Sequence, residues 1–207
     1  MVALFEELHQ QVSNTGSKSN EWYTPSVYIE AAREVMSSID LDPASCELAN
    51  KTVRAKKFYT KENNGLAQPW YGCVWLNPPY GFIHPEMKRS TKSWQKVFVE
   101  HALSEYQKGH IDQAILLLLG STVFRTYFQP LWQYPVCLNP IQTKFAREDG
   151  STSQFGFGSI FVYLGPHEDK FIDVFLQFGT IAKRVSQPKK GTEVQPDLWL
   201  GYTDNSK

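Results

Sequence analysis

At 207 residues the chain is long enough to bury one substantial core without metal or disulfide staples. Hydrophobic residues make up 42% and charged residues 20%, a balance that excludes a disordered chain or a membrane-embedded one. Net charge is zero, with 21 basic and 21 acidic side chains, so any nucleic-acid partner must be met by local patches.

Three such patches stand out: Lys51 to Lys57, then Lys88, Arg89 and Lys92, then Lys183, Arg184, Lys189 and Lys190. The six Trp, ten Tyr and thirteen Phe fill cores by default, and aromatic faces also stack on bases. Cys46, Cys73 and Cys137 are odd in number and lack paired spacing, which argues against a disulfide framework and suits a reducing cytoplasm. The five histidines form no ligand pair, so no metal is expected. The first residues carry neither a basic region nor a long apolar stretch, and do not read as a secretory signal. The aliphatic run from Ala114 to Leu119 is far too short to cross a bilayer, so no membrane partner is expected.

In chain order, residues 1–20 read as an N-terminal segment, polar and Gly/Ser-containing from residue 11. Ser26, after Pro25, opens a helix with Val27, Ile29, Ala31, Ala32, Val35 and Met36 on its apolar face. Ile39 to Asp42 is a short strand stopped by Pro43, and Lys57 to Thr60 is a second, followed by a turn at Asn63-Asn64-Gly65. Cys73-Val74-Trp75-Leu76 is a buried strand that ends abruptly at Asn77-Pro78-Pro79-Tyr80. Residues 91–107 form a helix, and Ala114 to Leu119 is the strongest buried strand in the chain.

A helix over 122–132, frayed by Pro130, comes next. Strands follow at 136–138, 142–145 and 159–164, then a helix at 170–178. Residues 186–207 are a polar tail, leaving 21–185 as the single domain. The alternation of helices with apolar strands predicts a three-layer α/β domain with a mostly parallel sheet. Chemistry in such sheets sits beyond the carboxyl ends of the strands.

Asn77-Pro78-Pro79-Tyr80 falls at such an end. Two adjacent prolines forbid helix and cannot donate to a sheet ladder, so the segment is a stiff loop. An aromatic amine is a poor nucleophile, because its lone pair is delocalised into the ring. The Asn77 side-chain carbonyl and the Pro78 backbone carbonyl can accept the two amine hydrogens and favour a pyramidal, nucleophilic nitrogen. Tyr80 can stack on a base removed from the duplex. No general base is required before attack, since the nitrogen becomes acidic only once methylated. This tetrapeptide resembles the catalytic motif of amino-methyltransferases acting on adenine, cytosine or a glutamine amide.

The methyl donor of such enzymes usually rests on a glycine-rich loop, and no G-x-G-x-x-G occurs here. Asp40-Leu41-Asp42-Pro43-Ala44-Ser45, at a strand end, resembles instead the start of the Asp-Pro-Ala-Cys-Gly-x-Gly loop of many adenine methyltransferases, without its glycines. Glu21-Trp22-Tyr23-Thr24-Pro25 precedes it and Asn77 to Tyr80 follows. Phe58-Tyr59-Thr60, Asn64-Gly65-Leu66 and Trp70 lie between.

In this order the segments resemble the phage-type DNA N6-adenine methyltransferase family, strongly over residues 21–81 and with few motifs from there to about residue 178. The resemblance implies a Rossmann-like S-adenosylmethionine-dependent methyltransferase fold in 21–185, with S-adenosylmethionine as cofactor and double-stranded DNA as partner. Tyr23, Thr24 and Pro25 would line the methionine end of the cofactor, Asp42, Pro43 and Ala44 the loop beneath it, and Asn77, Pro78, Pro79 and Tyr80 the target adenine. Asn64 to Leu66 would lie near the cofactor's adenine.

The resemblance also implies a bacterial cytoplasm, phage or prophage origin, and a role in DNA methylation such as restriction-modification. The polar stretches 82–93 and 146–154 are the room left for reading sequence. Two alternatives stay open: methylation of an RNA adenine or a protein glutamine amide, and a non-catalytic DNA-binding accessory protein.

Overall fold

The computed structural model describes residues 23–83, 93–141, 143–146, 152–153 and 158–185. The expected N-terminal segment 1–20 and tail 186–207 lie outside the described residues, as do Trp22, the patch at Lys88, Arg89 and Lys92, Lys189 and Lys190, and most of 82–93 and 146–154.

Among the described residues seven strands form one sheet. In chain order they are β1 (Leu41–Asp42), β2 (Lys57–Phe58), β3 (Gly72–Leu76), β4 (Ile111–Leu119), β5 (Val136–Asn139), β8 (Ser159–Leu164) and β9 (Thr180–Ala182), arranged β2-β1-β3-β4-β8-β5-β9. β6 (Phe145–Ala146) and β7 (Thr152–Ser153) pair apart as a small antiparallel ribbon. β1 to β5 all run one way, and only β8 and β9 oppose them. The sheet is therefore mostly parallel, and the carboxyl ends of β1, β3, β4 and β5 share one edge.

Both faces of the sheet are covered. Cys73, Trp75, Ile115, Leu117, Phe161 and Tyr163 point to one face, under α1 (Ser26–Met36) and α4 (Glu168–Phe175). Val74, Leu76, Ala114, Leu116, Leu118, Ile160 and Val162 point to the other, under α3 (Trp94–Gln107) and the turns that follow β4. A strand buried on both sides needs apolar residues at every position, which is why 114–119 reads as an unbroken aliphatic run. Much of the aromatic content is core: Tyr163, Phe171 and Phe175 form a column with centroid spacings of 5.3 and 4.5 Å.

Several elements differ from expectation. The segment after β4 is not an α-helix but two 3₁₀ stretches, Gly120–Phe124 and Thr126–Gln133, broken at extended Arg125. Pro130 lacks an N–H and would clash with the preceding turn of an α-helix, so the tighter form persists. Of the strand expected at 142–145, Gln142 lies outside the described residues, Thr143 and Lys144 are not strand, and the strand observed is Phe145–Ala146. On α1 it is Tyr28 that is buried, while Val27 faces outward. Helix α2 (Glu47–Val53) and edge strand β9 were not anticipated, both being too short for periodicity to register.

The basic patches are partly neutralised locally. Arg54 pairs with Glu30 at 2.7 Å, Lys56 with Asp40 at 2.7 Å, and Lys183 with Glu168 at 2.5 Å. Among the described residues no helix is long and apolar enough to cross a membrane.

Candidate active site

β1 and β3 are neighbours in the sheet, with Leu41 opposite Val74. Their carboxyl-end loops, 42–45 and 77–80, therefore emerge side by side. Both face one cleft of about 1240 Å³, and Tyr23 and Thr24 close it from the strand-like segment before α1. Nine of the ten residues expected at the site line this cleft. Pro25 does not; it stands at the N-cap of α1, where its carbonyl accepts the Tyr28 N–H at 3.2 Å.

The loop after β1 is clamped by backbone hydrogen bonds. Tyr59 donates its N–H to the Asp42 carbonyl at 3.0 Å, and Ser45 donates to the Tyr59 carbonyl at 2.9 Å. From below, Gly65 presses so closely on Pro43 that a Cβ there would sit 1.9 Å from the Pro43 carbonyl oxygen. Trp70 fixes Gly65 by donating Nε1–H to its carbonyl at 2.8 Å, and the Tyr59 hydroxyl donates to the Pro69 carbonyl at 3.0 Å. Tyr59, Gly65 and Trp70 thus form a buttress beneath Pro43. The close approach that a glycine in the loop would allow is supplied by a glycine from outside it.

Asp42 is buried, and desolvation pushes its carboxyl up to about 7, against the Ala44 N–H that donates to it at 3.2 Å and favours the charged form. Beside it the Ser45 hydroxyl is buried against the Asp42 carboxyl and also favours its charged form. Cys46 caps α2, its Sγ accepting from the Ala49 N–H at 3.4 Å and lying 3.9 Å from the Tyr23 hydroxyl. Sequence reasoning placed Ser45 at the end of this loop without giving it a role, and missed Cys46 and Glu47 on this wall. The visible signal was a Ser-Cys-Glu start suited to capping a helix.

On the other wall, β3 stops because Pro78 and Pro79 cannot extend the ladder. Pro78 is buried, while Asn77 and Tyr80 are half-buried. The Asn77 amide is held at both ends: Nδ2 donates to Thr24 Oγ1 at 3.3 Å, and Oδ1 accepts from the Tyr80 hydroxyl at 2.8 Å. Thr24 is itself buried, so Asn77 cannot swing freely. Desolvation raises the Tyr80 phenol above its ordinary range, keeping it neutral. Its ring meets Phe145 edge to face at 6.5 Å.

The cleft is electrostatically uneven. Asp42, Glu47 and Glu62, with Lys61, line the end near β1, whereas Trp94 and Phe98 give an apolar wall beyond the Asn77 loop. A cationic, polar ligand suits the first end and a planar one the second. Among the described residues no group of three or more His, Cys, Asp or Glu could hold a metal ion.

A family model described as DNA N-6-adenine-methyltransferase (Dam) matches residues 12–133, more than half of the chain, and spans both walls of the cleft. No curated protein matches the chain. With both loops meeting at one strand edge and the match covering them, the chain belongs to the DNA N-6-adenine-methyltransferase (Dam) family.

Proposed function

We propose that this protein transfers a methyl group from S-adenosylmethionine to the exocyclic amine of an adenine turned out of double-stranded DNA, at particular sequences. The observation that carries the reading is the shared cleft: the Asp42 to Ser45 loop and the Asn77 to Tyr80 loop line its two walls. Helices on both faces of a mostly parallel sheet support a three-layer, Rossmann-like methyltransferase domain over 21–185.

Residues Tyr23, Thr24, Asp42, Pro43, Ala44 and Ser45 would hold the cofactor, which when bound supplies an electrophilic methyl group. A buried carboxylate and a buried hydroxyl beside it fit its ammonium and hydroxyl groups. Asn77 Oδ1 and the Pro78 carbonyl would accept the two hydrogens of the adenine amine, localising the lone pair on nitrogen. Tyr80 would stack on the base. Its raised phenol pKa removes it as a proton acceptor near neutral pH. The proton therefore leaves to water once the nitrogen carries its new methyl group. Pro25 is retained as a positioning residue, since it starts α1 and sets the path of Thr24.

Free cysteines among the described residues fit a bacterial cytoplasm, and the reading extends to a phage or prophage origin. A tritiated-methyl transfer assay on DNA, RNA and protein tests the proposal. Label is expected in DNA, as N6-methyladenine. Label confined to RNA or to protein glutamine would overturn the substrate, and cofactor-independent DNA binding without label would overturn the chemistry.

A further inference from the structure

Beyond the cleft, the same edge of the sheet carries exposed apolar side chains that the catalytic reading leaves unused. Phe82 follows β3, Phe124 follows β4 and Ile141 follows β5, all past carboxyl ends that point the same way. Phe124 is 87% exposed, the most exposed aromatic side chain among the described residues; Ile141 is 65% and Phe82 52% exposed. Hydrogen bonds join the three segments into one rim. Phe82 bridges to Ser93 at the start of α3, and Gln95 accepts from the Thr122 hydroxyl at 3.2 Å, two residues before Phe124. On the other side Gly120 donates to the Gly158 carbonyl at 2.7 Å. Gly158 packs on Asn139, and Asn139 Oδ1 accepts from the Ile141 N–H at 2.9 Å.

Two cations stand on this rim. Arg125, next to Phe124, and Lys144, next to Phe145, are exposed, and among the described residues neither forms an ion pair. The carboxylates of the cleft, Asp42, Glu47 and Glu62, lie at its β1 end instead. Exposed apolar groups flanked by free cations suit a polyanion whose interior is apolar and stacked. Duplex DNA supplies both complements on one partner, phosphates for the cations and stacked bases for the apolar groups.

We infer that this rim is the face that seats duplex DNA, and that Phe124 enters the base stack beside the target adenine, with Arg125 and Lys144 on flanking phosphates. The inference rests on the proposed DNA substrate. Turning a base out of the duplex leaves an apolar gap, and an apolar side chain that fills it holds the extruded state open. Phe124 is free to do so because it contributes almost nothing to the core.

The test compares wild type with Phe124→Ala on two duplexes carrying a site the wild type methylates, mapped by sequencing methylated DNA. In one the target adenine is paired; in the other it lies opposite an abasic site, where extrusion is already cheap. Phe124→Ala is expected to lose at least about tenfold in kcat/KM on the paired duplex. It should return to within about twofold of wild type on the abasic one, with S-adenosylmethionine affinity and Tm unchanged. Arg125→Ala and Lys144→Ala should each weaken duplex binding and flatten its salt dependence. Equal loss on both duplexes, no loss on either, or a shift in oligomeric state with DNA binding intact would overturn the assignment. Absence of DNA methylation by the wild type is a separate outcome, which overturns the substrate and this inference with it.

Discussion

The Tyr80 hydroxyl donates to Asn77 Oδ1 at 2.8 Å, and so occupies the oxygen that an adenine amine would need. The loop satisfies itself while no base is present, which avoids leaving a half-buried amide oxygen without a donor. An entering adenine amine competes with that hydroxyl for the oxygen, so substrate binding weakens or exchanges the existing hydrogen bond. Tyr80→Phe keeps the ring and removes the competitor. It is expected to turn over at least as fast as wild type in steady-state methylation, with KM for DNA equal or lower. A tenfold fall in kcat would show that the hydroxyl assists the reaction directly. Tyr80→Ala removes the ring as well and should weaken base binding by about 1–3 kcal/mol.

Asn77 is held by Thr24 on one side and Tyr80 on the other, an arrangement that aims one carbonyl and needs no movement at the moment of reaction. Asn77→Ala should reduce kcat by at least about a hundredfold, the scale expected when a prearranged hydrogen bond to a transition state is lost. Cofactor affinity, measured by calorimetry, should stay within about threefold, because Asn77 touches the cofactor side only through its 3.3 Å hydrogen bond to Thr24. Turnover preserved in this variant would remove Asn77 from the mechanism.

Asp42 gives a pH dependence whose sign can be worked out. Its carboxyl titrates at about 7 in the fold against 3.8 for the ordinary group, so the folded protein binds the proton more tightly than the unfolded chain. Stability from this group is therefore highest at low pH, falls as pH rises from about 4 through 7, and is flat above. Asp42→Asn should flatten that fall and raise Tm at pH 8. Bound S-adenosylmethionine would reverse the trend if its ammonium meets this carboxylate, so wild-type affinity should rise through pH 7 while the Asn variant binds weakly throughout. Calorimetric titrations from pH 5.5 to 8.5 would show this, and a pH-independent affinity would place the ammonium elsewhere.

The catalytic loop was legible because its chemistry is compressed into consecutive residues: a buried strand must stop where two prolines follow, and Asn77 and Tyr80 flank the break. The cofactor wall was legible only in part. Asp42-Pro43-Ala44 could be recognised, but Ser45 leads into, and Cys46 caps, a helix of seven residues, shorter than two full turns, where apolar periodicity has no time to appear. The 3₁₀ path of 120–133 was misread as α-helix because its apolar spacing is compatible with either; only Pro130 and extended Arg125 separate them. The contact of Tyr80 with Phe145 spans sixty-five positions along the chain and depends on how β5 and β8 are connected, which no local pattern reports.

Gly65 shows how an interspersed motif acquires a reason. Its φ is unremarkable, so it is not needed for a turn; it is needed because the Pro43 carbonyl lies where a side chain would begin. Backbone on both sides is pinned, by the Trp70 indole on Gly65 and by the Tyr59 N–H on Asp42, and neither can give way as a flexible side chain would. Gly65→Ala should therefore push the Asp42 to Ser45 loop outward. Overpacking of this kind is expected to cost about 1–3 kcal/mol, read as a lower midpoint in urea unfolding with the slope unchanged. Cofactor affinity should fall at least about tenfold, while binding of duplex DNA in the absence of cofactor stays near the wild-type value, because the Phe82 to Ile141 rim is built on other strands. A variant that keeps both stability and cofactor affinity would mean that the loop has slack that the 1.9 Å approach denies.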